Sequence, residues 1–304
     1  MRVAVLGIAV VACGSPSKSP PDVPVNAPWQ TATTTFDQSL IGVWASGSDV
    51  FVVGYDAGSF HSTDGVTYTE VPLNAGTAHG GRIWGRSPGD VFATGFSGKM
   101  VHSADRGASW QAVTTGATRA LYGMWGTGTE IYVVGDDGAY HTADGTTWQM
   151  QTVPVSGYTL AVWGSGPSDV YAVGDGGIAH TDGSGTWTMQ ANGLTALQMT
   201  GIWGSGASDI YAVGGSGILH SDGSGTWTAQ TSCGGPMYSV WGASASDVWT
   251  VGPAGVICHS AGDGTWTAVD SGTTLDLYAI YGTASAIYAV GGTTPSVGIA
   301  LRRP

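Results

Sequence analysis

Hydrophobic and polar positions alternate in short runs from about residue 28 to the end of the chain, and the pattern returns about every 40 residues. Each unit opens with an aromatic and a small residue, passes an Asp-containing turn into an apolar strand, and continues through a Gly turn and a His strand. Residues 161–190 and 201–230 show this unit almost identically. Short apolar runs separated by turn residues predict β-strands. No helical pattern of useful length accompanies them, so we predict an all-β chain.

Three aromatic columns run through these units, and each column has seven members. The leading column consists of Trp44, Trp84, Trp125, Trp163, Trp203, Trp241 and Tyr281. The middle column consists of Phe51, Phe92, Tyr132, Tyr171, Tyr211, Trp249 and Tyr288. The trailing column consists of Trp29, Tyr68, Trp110, Trp148, Trp187, Trp227 and Trp266. Seven units of this length predict a seven-bladed β-propeller, in which each blade is a four-stranded antiparallel sheet.

The aromatic columns do not begin and end in the same unit, and this offset predicts how the ring closes. The trailing column begins at Trp29, before the first leading Trp, while no aromatic residue trails Tyr281. The last unit therefore lacks a fourth strand, which residues 28–31 can supply from the other end of the chain. Closure by this N-terminal strand removes the two open edges of the array. We predict that the propeller domain spans residues 28–304.

The first residues are typical of an export signal. A basic residue at position 2 precedes an apolar run over residues 3–12, which is too short to cross a bilayer and suits a signal peptide. The run ends in the sequence VVAC, which resembles the lipobox of bacterial lipoproteins. The resemblance implies a signal peptide over residues 1–12, a lipid on Cys13 as the membrane anchor and, because no Asp follows this cysteine, sorting to the outer membrane. Residues 13–27 then form a Pro-rich tether. An ordinary secretory signal is the alternative.

Composition narrows the possible function classes. The chain has 304 residues, with 51 Gly and 13 Trp, and its 9 basic and 21 acidic residues give a formal net charge of −12. A hydrophobic share of 42% excludes a disordered polar chain. Such an acidic chain has no electrostatic footprint for nucleic acid. We therefore expect a globular monomer whose glycines lie in repeated turns.

The turn after the His strand carries a motif. Ser103, Asp105, Gly107 and Trp110 form the pattern Ser-x-Asp-x-Gly-x-x-Trp, which resembles the Asp-box of sialidase-like (BNR) propellers. Residues 28–304 as a whole resemble WD40, YVTN and BNR-like repeat propellers, including the Ycf48-like assembly factors. The resemblance implies the fold and a structural turn between the third and fourth strands. It does not specify a function, because one fold hosts many functions.

The repeated polar residues are interpreted as structural. Six of the seven histidines share one position on the third strand, namely His61, His102, His141, His180, His220 and His259, and Leu301 is assigned to that position in the last unit. Equivalent positions on different blades lie too far apart to share a zinc ion. We therefore expect each histidine to be hydrogen-bonded within its blade, and we expect no metal or other cofactor. The Asp residues that open the second strand are interpreted as turn residues, and interior packing explains the tryptophans better than sugar stacking does.

One position breaks the repeat. Two residues before each leading aromatic, six units carry Gly, Ala or Ser, whereas the second unit carries Arg82. Five of the nine basic residues belong to that unit or the following loop: Arg82, Arg86, Lys99, Arg106 and Arg119. The candidate ligand-binding residues are Arg82, His79, Tyr55, Asp56, Phe96 and Arg86. Such a patch would suit an anionic or glycan ligand. The alternative is that Arg82 pairs with a neighbouring Asp.

A disulfide is possible between Cys233 and Cys258. The first is predicted in the loop that enters the sixth blade, and the second on the third strand of that blade. Two strand spacings, about 9–10 Å, separate the first strand from the third. The two cysteines therefore pair only if the loop folds over the blade.

Signatures of catalysis are missing from the chain. It has no Gly-x-Ser-x-Gly, His-Glu-x-x-His or phosphate-loop pattern, and its only two Glu are Glu70 and Glu130. A glycosidase needs two carboxylates that flank one bond, whereas most acids here are repeated turn residues. We predict a non-enzymatic, exported lipoprotein that acts as a protein-binding or assembly scaffold for an unknown envelope partner. The alternatives are a lectin-like propeller that binds glycans and a degenerate sialidase-like hydrolase.

Overall fold

The computed structural model describes residues 28–56, 58–73, 81–190, 198–293 and 296–304. Within these ranges, strands form seven four-stranded sheets, and the helical structure is a single 3₁₀ turn at Pro253–Gly255. The predicted signal peptide and tether, including Cys13, lie outside the described residues. In the described ranges no helix is long and apolar enough to cross a membrane. The predicted fold class, a seven-bladed all-β propeller, is confirmed.

The strands follow one another regularly along the chain. The first strand of the described residues is β1 (Gln30–Thr31). Blade one consists of β2 (Leu40–Ser46), β3 (Asp49–Gly54), β4 (Ser59–Ser62) and β5 (Thr69–Glu70). Blade two consists of β6 (Ile83–Ser87), β7 (Asp90–Thr94), β8 (Met100–Ser103) and β9 (Gln111–Ala112). Blade three consists of β10 (Leu121–Thr127), β11 (Glu130–Gly135), β12 (Gly138–Thr142) and β13 (Gln149–Gln151).

The second half of the ring repeats this arrangement. Blade four consists of β14 (Thr159–Gly166), β15 (Asp169–Gly174), β16 (Gly177–Thr181) and β17 (Thr188–Met189). Blade five consists of β18 (Met199–Gly206), β19 (Asp209–Gly214), β20 (Gly217–Ser221) and β21 (Thr228–Gln230). Blade six consists of β22 (Ser239–Ser244), β23 (Asp247–Val251), β24 (Ile257–Ser260) and β25 (Thr267–Val269). Blade seven has β26 (Asp276–Gly282), β27 (Ile287–Thr293) and β28 (Val297–Arg303).

The antiparallel order of the strands gives the propeller two distinct faces. The first strand of every blade contacts the first strands of both neighbouring blades and so lies at the centre of the ring. The loops between blades and the turns between second and third strands come together at one end, which we call the upper face. The Asp175 N–H, for example, donates to the Tyr158 carbonyl oxygen at 3.1 Å. The remaining turns form the opposite end, which we call the lower face.

The N-terminal strand closes the ring, as the offset of the aromatic columns predicted. Strand β1 pairs antiparallel with β28, with Gln30 opposite Arg302 and Thr31 opposite Leu301. The Trp29 ring lies edge-on to the Trp249 ring of blade six, with a centroid distance of 6.2 Å. The beginning and the end of the domain therefore share one sheet, and no blade has to be completed by another molecule.

The leading aromatics join each blade to the next. The Trp125 indole packs over Gly164 of blade four, where a Cβ would lie 2.8 Å from Trp125 Cη2. The same contact recurs between Trp44 and Gly85, Trp84 and Gly126, Trp163 and Gly204, Trp203 and Gly242, and Trp241 and Gly282. At the seventh junction Tyr281 lies 6.5 Å from Trp44, ring to ring, and Ala45 stands at the glycine position. The one Cβ in this column thus stands at the junction whose leading aromatic is smaller than an indole.

The trailing aromatics join the blades in the opposite direction. Trp187 of blade four lies edge-on to Tyr132 of blade three, with ring centroids 6.2 Å apart. Equivalent contacts join Trp227 to Tyr171 and Trp266 to Tyr211. Eleven of the thirteen tryptophans are buried, and Trp29 and Trp148 are half-buried. Their burial agrees with the predicted packing role and leaves few indole faces on which a sugar could stack.

The six histidines are held within their own blades. In blade four, His180 Nε2 lies 2.8 Å from Asp169 Oδ1, and the imidazole lies against the Tyr171 ring at 4.5 Å. The equivalent pairs are His61–Asp49, His102–Asp90, His141–Glu130, His220–Asp209 and His259–Asp247. The acidic residues that open the second strand, interpreted from sequence as turn residues, thus also hold the histidines.

The assignment of Leu301 to the histidine position in the last unit is wrong. Tyr288, the middle aromatic of blade seven, lies opposite Arg302 in the strand register, whereas Phe51 lies opposite His61 in blade one. The hairpin of blade seven is longer than the others, because β27 and β28 have seven residues each. Counting from the preceding repeat therefore placed the position one residue too early.

The contact between leading aromatic and glycine predicts the effect of a single methyl group. Gly164→Ala places a Cβ against both the Trp125 indole and the Asp169 carbonyl oxygen, each 2.8 Å away. We expect it to lower the free energy of unfolding by about 1–3 kcal/mol, the usual cost of overpacking. Gly166→Ala on the same strand is the control, because its Cβ meets nothing within 4 Å. Equal thermal stability of the two variants would contradict the role assigned to this contact.

Candidate functional site

The lower face is built from repeated turns whose polar groups hydrogen-bond to one another. In the turn that resembles an Asp-box, the Ser103 hydroxyl accepts the Gly107 N–H at 2.8 Å and donates to Asp105 at 2.9 Å. The Asp105 carboxylate also accepts the Ser109 hydroxyl at 2.6 Å and the Ser109 N–H at 2.8 Å, and these hydrogen bonds lower the pKa of Asp105. Trp110 is buried behind the turn. The polar groups of this motif are thus engaged in holding the hairpin.

An open cavity of about 620 Å³ lies at the lower end of the central strands of blades seven, one, two and three. The charged residues among its lining are Arg86 and Asp90. Arg86 Nε lies 2.5 Å from Asp90 Oδ2, and Arg86 Nη1 donates to the Gly128 carbonyl oxygen at 2.7 Å. Trp44 and Trp84 also line the cavity but are almost fully buried. The cavity therefore offers one carboxylate, already engaged by an arginine, and no exposed indole face.

Arg82 lies on the upper side, packed between blades. It is 4% exposed, its N–H donates to Thr94 Oγ1 at 3.2 Å, and its Nη1 donates to the Gly81 carbonyl oxygen at 3.2 Å. Burial lowers the pKa of Arg82 to about 10, and the nearby Tyr122 of blade three acts in the opposite direction. In blade three the equivalent position is Gly123, where a Cβ would lie 2.9 Å from the Ala161 backbone. Arg82 therefore fills space between blades two and three rather than presenting its charge to solvent.

The remaining candidate residues divide between the two faces. The Tyr55 and Phe96 rings meet edge-on across blades one and two, with centroids 6.4 Å apart. Asp56 is exposed beside them, and its N–H donates to Gln38 Oε1 at 3.0 Å. His79 lies outside the described residues. Arg86 stands at the opposite end of β6 from Arg82, about 13 Å along the strand, so the structure does not bring it together with the upper-face residues.

The upper face carries further aromatic residues that the sequence reasoning missed. The Tyr122 and Tyr158 rings meet across blades three and four at 6.1 Å, and the Tyr238 and Tyr278 rings stack across blades six and seven at 5.7 Å. A signal was present in the sequence. The position three residues before the leading aromatic varies from unit to unit, as Ile41, Gly81, Tyr122, Leu160, Thr200, Tyr238 and Tyr278. Three of these seven are tyrosines, and Tyr158 lies outside this column, five residues before the leading Trp163.

A disulfide joins Cys233 and Cys258 on the upper side of blade six, with the Cα atoms 5.9 Å apart. The loop that carries Cys233 folds over the start of β24, where a Cβ at Gly234 would lie 2.7 Å from Val256 Cγ1. This fold-over is the condition on which the pairing depended. Among the described residues no group of three or more His, Cys, Asp or Glu is arranged to hold a metal ion.

Comparison with known proteins places the chain by its fold. No protein-family model and no curated protein sequence matches it. A solved structure of YCF48 bound to D1 peptide superposes with a TM-score of 0.73 at 18% identity, covering 94% of this chain and 99% of that one. A catalytically inactive virginiamycin B lyase from Staphylococcus aureus with quinupristin gives 0.75 at 16%, covering 91% and 99%. The WD40 propeller domain of Doa1 gives 0.74 at 12%, covering 90% and 97%. These similarities show the propeller fold.

The disulfide predicts a dependence of stability on redox conditions. The bond closes a loop with a sequence separation of 25 residues, so the chain-entropy relation gives about 3.5 kcal/mol of stabilisation. We expect the double variant Cys233→Ser/Cys258→Ser to lose stability of this order in denaturant unfolding. A reductant should lower the stability of the wild-type propeller and leave the double variant unchanged. Insensitivity of the wild type to reductant would contradict the prediction.

Proposed function

We propose that this chain is an exported, non-catalytic β-propeller, anchored to a membrane by a lipid on Cys13, that binds a protein segment on its upper face. The observation that carries the proposal is the distribution of variation around the ring. Lower-face and interblade positions repeat from blade to blade, whereas the upper face carries aromatic residues at positions that vary. In a repeat protein, positions that differ between units are free to serve a specific partner.

Three aromatic pairs on the upper face support a protein-binding role. Each pair bridges two neighbouring blades, and Tyr158 is 43% exposed. Aromatic side chains are enriched at the centres of protein interfaces, because they supply large contact areas with few rotatable bonds. The YCF48 structure shows that a propeller of similar fold binds a peptide, which supports a peptide or protein ligand here.

The lower cavity supports the non-catalytic part of the proposal. Hydrolysis of a glycosidic bond requires two carboxylates on opposite sides of the bond, and Asp90 is the one carboxylate in the cavity lining. A lectin function has weaker support than protein binding, because the tryptophans that line the cavity present buried rings. A similar fold hosts a lyase, so fold alone does not decide between catalysis and binding.

Two independent features support export. The N-terminal apolar run followed by Cys13 is typical of a lipoprotein signal. The disulfide between Cys233 and Cys258 belongs to a class of bond that persists in oxidising compartments and is rare in the cytosol. Both features agree with a propeller that works outside the cytoplasm.

Site-specific photo-crosslinking tests the binding face. A photoreactive phenylalanine replaces Tyr158 on the upper face, or Met189 on the rim of the same blade, which is 42% exposed. We expect position 158 to give a discrete crosslinked protein in intact envelopes, because its ring lies in the proposed interface, and we expect position 189 to give none. The reverse pattern would contradict the proposed face, and glycan-array binding without any protein crosslink would favour the lectin-like alternative.

Metabolic labelling with palmitate tests the anchor. The Cys13→Ser variant should lose the label and leave the membrane fraction, because the thiol is the proposed attachment site. Cys233→Ser is the matched control, since it removes a cysteine of the propeller and should keep the label. Labelling of Cys13→Ser would contradict the lipoprotein assignment.

A further inference from the structure

The junction of blades three and four carries the most exposed aromatic pair on the upper face. The Tyr122 and Tyr158 rings lie 6.1 Å apart at an interplanar angle of 71°. Tyr158 is 43% exposed, and Tyr122 is half-buried beneath the same surface. An edge-to-face pair of this kind presents one open ring face and one supporting ring, which is an arrangement suited to a flat or cationic group.

Three carboxylates stand in the turns between the second and third strands of these two blades. Asp136 and Asp137 follow β11 in blade three, and Asp175 follows β15 in blade four. Asp175 accepts the backbone N–H of Tyr158 at 3.3 Å and the Gln198 side-chain amide at 3.1 Å, and these two hydrogen bonds fix its position. Asp136 lies against Tyr122, and the Tyr122 phenol hydrogen-bonds to its carboxylate. Burial, followed by this hydrogen bond to Asp136, raises the pKa of Tyr122.

Arg119 forms ion pairs with two of these carboxylates and shows that they can bind a guanidinium. Its Nε lies 3.3 Å from Asp136 Oδ2, and its Nη1 lies 3.8 Å from Asp137 Oδ1. The Arg119 side chain is 57% exposed, so the pair is a surface ion pair of small net strength. An incoming cation can therefore displace Arg119 at little cost. Arg82 is the other nearby cation, and it is buried behind Tyr122 rather than exposed in the site.

The excess of acidic residues in this part of the ring also favours a cationic partner. Between residues 120 and 301 the sequence contains no Lys or Arg. The acidic residues of this segment are Glu130, Asp136, Asp137, Asp144, Asp169, Asp175, Asp182, Asp209, Asp222, Asp247, Asp263, Asp270 and Asp276. Blades three to six and the start of blade seven thus form an acidic sector, whose summed field attracts cations and repels anionic segments.

We infer that Tyr122, Tyr158, Asp136, Asp137 and Asp175 form a binding site, here called the tyrosine site, for an arginine or lysine side chain of a partner protein segment. The inference rests on the proposed protein-binding function and adds the chemistry of the partner. The cation lies over the exposed Tyr158 ring, and its N–H groups donate to the carboxylates in place of Arg119.

Titration with two labelled peptides tests the tyrosine site. Both are Gly/Ser peptides of equal length, one with four arginines and one with four glutamates, and fluorescence anisotropy reports binding to the propeller. We expect binding of the arginine peptide alone, weakened by salt. Asp137→Asn and Tyr158→Ala should each weaken it roughly two- to five-fold, since one ion pair or one ring contact is lost. Tyr158→Phe should retain the affinity, because the ring face remains.

Arg119→Gln provides the sharpest discrimination. It removes the resident cation and should strengthen binding of the arginine peptide roughly two- to five-fold. Arg106→Gln on the lower face, where the arginine is 63% exposed, is the matched control and should change nothing. Asp182→Asn, on the lower face of the same blade as Asp175, is the control for simple loss of net charge. Circular dichroism confirms that each variant is folded.

The outcomes separate this inference from the proposed function. Preference for the glutamate peptide, equal effects of Asp137→Asn and Asp182→Asn, or weaker binding by Arg119→Gln would overturn the tyrosine site. Failure of the arginine peptide to bind would overturn it as well. A crosslinked protein at position 158 would then still support protein binding by the upper face. Loss of the crosslink, by contrast, removes the proposed function itself.

Discussion

The packing of one indole against one glycine holds neighbouring blades together, and the rest of the ring depends on it. Trp125 lies over Gly164, where a side chain would meet both the indole and the strand backbone. Six junctions use an indole and a glycine, and the seventh uses Tyr281 opposite blade one, where Ala45 replaces the glycine. A larger residue in this column would force the indole or the neighbouring strand backbone to shift. The composition reflects this constraint, since each such junction uses one tryptophan and one glycine.

The repeated polar residues hydrogen-bond within their own blades, and few of their polar groups are left to bind a ligand. Each imidazole is held between a middle aromatic ring and a carboxylate, as His180 is held by Tyr171 and Asp169. The lower-face turns satisfy their own carboxylates through backbone N–H groups. A histidine or aspartate that would suggest catalysis in another fold has its hydrogen-bonding capacity used here for structure. Specific function is therefore left to positions that the repeat does not fix.

Those positions lie mainly on the upper face, where the loops between blades meet the turns between strands. The departure most visible in the sequence, Arg82, turns out to fill space between blades two and three. The tyrosines three residues before the leading aromatics receive less notice in a sequence, because tyrosine is common in this chain. Their pairing with aromatic residues of a neighbouring blade, as Tyr122 pairs with Tyr158, gathers aromatic rings on the upper face. The nearby carboxylates make that surface negatively charged.

The sequence by itself determined the number of blades, the order of strands, the closure by Trp29 and its strand, and the burial of the aromatic columns. A repeat predicts these well because equivalent positions have equivalent neighbours, so one interpretation holds for all units. Only the tertiary structure decided the course of the loop that brings Cys233 to Cys258, and the register that puts Arg302 rather than Leu301 opposite Tyr288. It also separated Arg86 from Arg82, because residues close in sequence emerge at opposite ends of an extended strand. Such features depend on distances between segments that the period of the sequence does not encode.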